Sequence, residues 1–404
     1  MERLKGSLKL FVSAMTLVLS TACNKSNDSF SLLSSGQTFE QSSAILNNKV
    51  DILWMVDGSG TMANHQTNLA TNFNTFINDF TTKGFDFQMV VASTDAWVRE
   101  SNYNAGGCIA NPNPSLNPNT TYTSSADCAT TLANYGQLTH FRDGDIYGSS
   151  TGVPGSRSGV YMITSLMSPA TILSTFAANI KTGTRGDGVQ ESGLQSLRSV
   201  LRRNSDGSVG YSGETHTSLS SFRRSDAFFA VIIVSDEEDQ SKKQNGTSYA
   251  NTPEYVDSFK TFMDNYTGSV IGNRKYNVSS IVINDITNCS YGLHAQATQG
   301  DRYVAIANAS EGVAASICSA NFSTQLSDIS KQILTLSTRF QLSREPIPST
   351  IVVTVNGSTV AQDSSNGWIY ISEGGFYYLE FKGTAIPPQG ASISVLFDPI
   401  TVIQ

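Results

Sequence analysis

Asp57-Gly58-Ser59-Gly60-Thr61 places a carboxylate and two hydroxyls at alternate positions of one short turn. All three are hard oxygen donors, and a turn that aims them at one point suits a small hard cation that keeps part of its water. Two further segments carry matching groups. The glycine-rich Gly183-Thr184-Arg185-Gly186-Asp187-Gly188 stands before a helical pattern, and Val234-Ser235-Asp236 ends an apolar run. Taken singly, each also reads as a helix cap or a turn, because Ser, Thr and Asp favour such positions.

In order and in placement at strand ends, these segments resemble the metal-ion-dependent adhesion site of von Willebrand factor A and integrin I domains. That site takes D-x-S-x-S from a first loop, a Thr from a second and an Asp from a third. The resemblance implies that Asp57, Ser59, Thr61, Thr184 and Asp236 surround a divalent cation, with magnesium (Mg²⁺) expected and Mn²⁺ or Ca²⁺ as alternatives. Thr61 stands where the family has Ser, a change that keeps the hydroxyl. The resemblance covers residues 50–340. Ser225-Asp226-Ala227, Ser235-Asp236-Glu237-Glu238-Asp239, Arg302-Tyr303 and Ser316-Ile317-Cys318 further resemble exported bacterial proteins that carry this domain. Asn366-Gly367-Trp368 and Pro387-Pro388-Gln389-Gly390-Ala391 fit the β-module often attached to them.

The remaining candidates have blander readings. Glu237, Glu238 and Asp239 offer a second cation site or, more simply, the acidic first turn of a helix, where the dipole favours them. Arg185-Gly186-Asp187 spells an integrin-recognised tripeptide inside the glycine loop, whose glycines have a backbone explanation. Gly148-Ser149-Ser150-Thr151-Gly152 matches a nucleophile-elbow pattern without the strand before it or the helix after it. The four histidines, His65, His140, His216 and His294, are isolated, and no H-E-x-x-H pattern occurs.

These groups need elements to hold them. Residues 50–56, 85–91, 228–234 and 278–283 form apolar, β-branched runs that read as strands. Helical spacing appears over 62–82, in Ile172-Leu173-Phe176-Ile180, in Val189-Leu194-Leu197-Leu201, after Thr252-Pro253 with Thr252 as N-cap, and in Leu326-Ile329-Ile333-Leu334. The alternation implies an α/β fold, a doubly wound and mainly parallel sheet flanked by helices, with ligands beyond the carboxyl ends of the strands. From residue 343 the period drops to two, with an Asn356-Gly357 turn, which implies a small C-terminal all-β module. The expected organisation is therefore a signal peptide over 1–22, a flexible Ser/Asn/Gln-rich tether over 23–47, a von Willebrand factor A-like domain over 48–340 with a loop-rich insertion at 97–164, and the β-module over 343–404.

The first residues carry Arg3, Lys5 and Lys9, then a short apolar stretch, then Leu19-Ser20-Thr21-Ala22-Cys23. This reads as an export signal and looks like a bacterial lipobox, with Ser20 where an aliphatic residue is usual. Ordinary cleavage after Ala22 is the alternative, but it leaves Cys23 as an odd thiol in an oxidising compartment. The other four cysteines permit three pairings, and sequence order suggests Cys108-Cys128 and Cys289-Cys318. No later stretch is apolar enough for a membrane helix.

A net charge of -7 without a basic stripe argues against nucleic acid as partner. The expected function is capture of a protein or surface polymer presenting an acidic group, by a non-enzymatic adhesion protein of the cell envelope. The expected location is that of an outer-membrane lipoprotein held in the membrane by an N-terminal lipid. A metal- or serine-dependent hydrolase and a structural envelope lipoprotein with a purely stabilising metal are the alternatives.

Overall fold

Strands buried on both faces must be apolar at every position, and the central strand of this chain meets that demand from Val50 to Val56 at all but one residue. A computed structural model describes residues 39–45, 48–94, 160, 162–182, 191–201, 222–243, 247–290 and 297–400. Their elements are, in chain order, β1 (Phe39–Ile45), β2 (Lys49–Val56), α1 (Ala63–Thr82), β3 (Asp86–Ser93), β4 (Ile163–Thr164), α2 (Pro169–Asn179), α3 (Gly193–Leu201) and β5 (Phe228–Ser235). There follow α4 (Thr252–Thr267), β6 (Tyr276–Val282), α5 (Asp301–Ala309), β7 (Ala314–Ser316), α6 (Ser323–Ser337), β8 (Phe340–Leu342), β9 (Val352–Val355), β10 (Ser358–Val360), β11 (Trp368–Glu373), β12 (Phe376–Phe381) and β13 (Ser392–Phe397).

A six-stranded sheet in the order β4-β3-β2-β5-β6-β7 forms the centre. All its pairings are parallel except the antiparallel edge strand β4, where Met89 faces Ile163. This is the α/β, doubly wound arrangement expected from the sequence. Alternation along β2 sends Ile52, Trp54 and Val56 into one apolar cluster with α1, α2 and α6, and Leu53 and Met55 into another with α3, α4 and α5. In the first cluster the Trp54 ring meets Phe76 and Phe176 at centroid distances of 5.3 and 5.1 Å, both edge-on. The exception in β2 is Asp51, fully buried. It is held by Arg224 through Nε at 2.8 Å and the backbone N–H at 2.6 Å, and by Arg223 at 3.3 Å.

Two antiparallel sheets, β11-β12-β8 and β1-β13-β9-β10, make up the C-terminal part. Asn356 and Gly357 both adopt positive φ, 50° and 80°, in the tight turn joining β9 to β10, the backbone that an Asn-Gly pair accepts most readily. The core runs without a break from the α/β layers into this part. Trp368, Leu379, Phe381 and Val395 belong to the same apolar cluster as Trp54, and Asn48 Nδ2 donates to Pro387 O at 3.0 Å.

Several elements differ from the sequence reading. Residues 39–45, read as tether because they are polar, form β1 and pair with β13, whose position some 350 residues later no local pattern reveals. The 97–164 stretch ends in β4; of its other residues only Val160 and Met162 are among those described. Helix α5 is absent from the sequence reading, and the strands β7, β8 and β10, of three residues each, are too brief to show a period. Helix α4 is capped by Asn251, whose side chain accepts the Glu254 N–H at 2.9 Å, so Thr252 is its first residue and not its N-cap. Glu237, Glu238 and Asp239 open no helix of their own.

Candidate metal centre

Strand order reverses around β2, because the chain leaves it for β3 on one side and returns to β5 on the other, and the crevice beyond these strands is where such sheets hold ligands. Asp57 extends β2 by one residue: its N–H donates to Val234 O at 2.9 Å. Its carboxylate turns inward, Oδ1 accepting the Ser59 N–H at 2.6 Å and Oδ2 accepting the Ser235 hydroxyl at 2.8 Å. Ser59 Oγ and Thr61 Oγ1 lie 3.0 Å apart as α1 approaches. Gln66, one turn into α1, braces the loop by donating to both Asp57 O and Thr182 Oγ1 at 2.9 Å.

Asp236 follows β5, is 1% exposed, and raises the Asp57 pKa by its charge. The structure thus brings Asp57, Ser59, Thr61 and Asp236 to one end of the sheet. Thr184 lies outside the described residues, as do Arg185, Gly186, Asp187, Ser150, Cys23, Cys108 and Cys128. Cys289 and Cys318 are joined by a disulfide that ties the loop after β6 to the one after β7.

The sequence reading missed Glu191. This carboxyl, 3% exposed, sits just before α3, accepts the hydroxyl of Thr94 at the end of β3, and lies in hydrogen-bonding contact with Asp57. Its signal was an acid directly ahead of an amphipathic helix, which reads equally well as an ordinary first-turn acid. Burial and the neighbouring Asp236 charge push Asp57 up to about 6, and burial with the Asp57 charge pushes Glu191 well above the usual carboxylate range.

Glu238 and Asp239 serve other helices. The backbone N–H of Arg302 reaches both Glu238 carboxylate oxygens at 3.2 Å, at the start of α5. Asp239 Oδ2 accepts the Leu194 N–H of α3 at 3.3 Å and the Tyr255 hydroxyl of α4. The dipole preference expected of these acids is present, but it is satisfied across space. Arg302 returns the contact through its guanidinium, donating to Asp239 O and Ser241 O at 2.8 and 3.1 Å, so the loop after Asp236 is held on two sides.

The donor set fits a hard cation. Every group offered is oxygen, and a place where the Asp236 charge raises the Asp57 pKa and the Asp57 charge raises that of Glu191 is one where positive charge would be stabilising. Among the described residues no three His, Cys, Asp or Glu side chains converge on one point. Such a centre would accordingly mix two Asp carboxylates with hydroxyls, a combination that suits an ion keeping several waters.

Comparison with protein-family models gives no match, and comparison with curated proteins gives none. Among solved structures, the pilus adhesin SpaC of Lactobacillus rhamnosus GG in its open conformation matches with a TM-score of 0.34 and 11% identity, over 87% of this chain and 38% of that one. The ArnB paralog VWA2 of Sulfolobus acidocaldarius matches with a TM-score of 0.29 and 10% identity, over 90% of this chain and 62% of that one. The pilus adhesin RrgA of Streptococcus pneumoniae gives 0.28 and 7%, over 89% and 58%. This chain therefore spans less than two thirds of each of those proteins, and its fold class rests on the strand order and registers given above. Among the described residues no helix is long and apolar enough to cross a membrane.

Proposed function

We propose that this chain is an exported envelope protein, lipid-anchored through Cys23 at the outer membrane, that captures a partner through a divalent cation without turning it over. The observation that supports this reading is the meeting of Asp57, Ser59, Thr61 and Asp236 in the crevice where the strand order reverses. Asp57 and Asp236 would hold the ion, Mg²⁺ by its preference for one or two carboxylates, with Ser59, Thr61 and Thr184 supplying neutral oxygens. When bound, the ion supplies positive charge and one open position for an acidic group of a protein or surface polymer. The chain's own part is positional: Ser235 and the Ser59 N–H orient the Asp57 carboxylate, and Gln66 fixes the loop that carries it. Glu191, adjoining Asp57, limits how much positive charge the centre can keep.

The test is calorimetric titration of the purified chain with Mg²⁺, Mn²⁺ and Ca²⁺, beside Asp57→Ala and Asp236→Ala. The wild type is expected to bind one ion and each variant to lose at least tenfold in affinity, since a carboxylate bond to a divalent ion is lost. Unaltered ion binding in both variants would remove the proposed centre. Retention of an acidic partner in chelator would remove the mechanism.

A further inference from the structure

Apolar side chains are left in water mainly at one end of this molecule. Among the described residues Leu166, Ile271 and Val270 are the most exposed large apolar groups, at 95%, 82% and 65%. All three lie where the parallel strands begin, opposite the candidate metal centre. The Ser165 N–H donates to Phe87 O at 3.0 Å at the start of β3, and Val270 and Ile271 occupy the turn between α4 and β6. Ile347 and Ile400, 40% and 52% exposed, stand in the C-terminal part, where the Ile347 N–H donates to Asp398 O at 2.7 Å and the Ile400 N–H to Glu345 O at 2.9 Å. That part joins the same end of the α/β layers: Asn48, just before β2, bonds Pro387, and the Gln389 N–H donates to Lys83 O, just after α1, at 3.3 Å. On the metal side, Ile286 beyond β6 reaches only 37%.

The turn carrying Val270 and Ile271 is fixed. Val270 and Asn273 exchange backbone hydrogen bonds at 3.3 and 2.9 Å, Gly272 has φ 78°, and a Cβ on Gly272 would lie 2.1 Å from the Phe376 ring. The two aliphatic tips are therefore presented outward by a backbone that cannot turn them in. Single exposed apolar residues are ordinary, whereas several gathered at one end mark an interaction surface. The charges around them are of both signs: Lys260 and Lys275 stand with Asp264 and Glu373 near this turn, and Glu345 and Asp398 flank Ile347 and Ile400. With no excess of cations, attraction to this surface is apolar and gains nothing from anionic headgroups.

Strand β1 indicates what covers it. Phe39 pairs with Phe397, three residues ahead of Ile400, so the segment leading back to Cys23 leaves from the C-terminal sheets. Cys23 stands 16 positions before Phe39, a reach of at most about 55 Å. We propose that this end of the molecule rests on the bilayer that holds the Cys23 lipid. The tips of Leu166, Val270 and Ile271 enter the boundary between headgroups and acyl chains, and the neighbouring carboxylates stay at the hydrated headgroup level. The proposal rests on the reading of Cys23 as the lipid anchor. Its consequence is that the metal centre, at the other end of the strands, points away from the membrane toward a partner.

Ile271→Trp and Ile286→Trp, each in the full lipid-bearing chain, are placed in phosphatidylcholine vesicles with brominated acyl chains. The emission added by Ile271→Trp is expected to fall at least roughly twofold and that added by Ile286→Trp to stay unchanged. Equal quenching of both, or of neither, overturns the proposal. The full chain with Cys23→Ser carries no lipid and should still sediment with phosphatidylcholine vesicles, and Val270→Asp with Ile271→Asp should lower that partition at least roughly tenfold. No sedimentation, or an unchanged partition, overturns it. The mass of the wild-type chain shows separately whether Cys23 is acylated, so failure of the anchor and failure of the surface are distinct results. Hydrogen exchange of the wild type stands even where a variant fails to fold: vesicles should slow exchange over 268–273 and leave 284–288 unchanged. Slowing over 268–273 with rising protein concentration and no vesicles would assign the surface to a second copy of this chain and overturn the proposal.

Discussion

The carboxyl groups of Asp57, at the end of β2, and Glu191, just before α3, meet in hydrogen-bonding contact, both withdrawn from solvent. Two ionised carboxylates cannot share such a place cheaply, so either a proton or a cation belongs between them.

That contact sets the pH response of the ion-free protein. In the folded chain Asp57 is raised to about 6 and Glu191 well above its ordinary value, so the folded state binds more protons than the unfolded state above about pH 4. Stability in chelator is therefore highest below the ordinary carboxylate range, falls as pH rises through about 6, and continues to fall as Glu191 ionises. Urea midpoints between mildly acidic and neutral pH check this. With saturating Mg²⁺ the fall should shrink, and a midpoint that rises with pH in chelator would contradict the assignment.

Glu191→Gln removes one of the facing charges and keeps an oxygen for the Thr94 hydroxyl. In chelator at neutral pH the variant is expected to be more stable than the wild type by about 1 to 2 kcal/mol, the scale of one pKa unit or slightly more. The same change should weaken binding of the divalent ion, whose charge Glu191 helps to offset. Equal or lower stability in chelator would show that Glu191 is not strained by its neighbour.

The Cys289–Cys318 bond closes a loop with a sequence separation of 29. Replacing both cysteines by Ser should lower stability by about 3 to 4 kcal/mol through the restored freedom of the unfolded chain. Denaturant unfolding of the variant measures it. A loss under about 1 kcal/mol would mean that the unfolded chain is compact there already.

Much of this fold was legible because its signals are local. The runs at 50–56 and 228–234 are apolar at nearly every position, which only a strand covered on both faces can satisfy, and their β-branched content excludes a helix of that length. Asn356-Gly357 likewise announced its turn by backbone freedom alone. The candidate centre was half legible. Asp57, Ser59 and Thr61 share one turn and can be seen together, whereas Glu191 reveals itself only where α3 starts beside β3.

The sequence by itself determined the alternation of strands and helices, the carboxylate and hydroxyls at the end of β2, and the change to period two at the C-terminus. Each of these depends on neighbours within a few residues, where periodicity and turn chemistry act. Only the tertiary structure decided that residues 39–45 leave the tether for β13, that Glu238 and Asp239 cap α5 and α3, and that Glu191 faces Asp57. In those cases the partner is distant in the chain. Pairing of an edge strand, satisfaction of a helix end and repulsion between buried acids depend on distance in space, which no local pattern records.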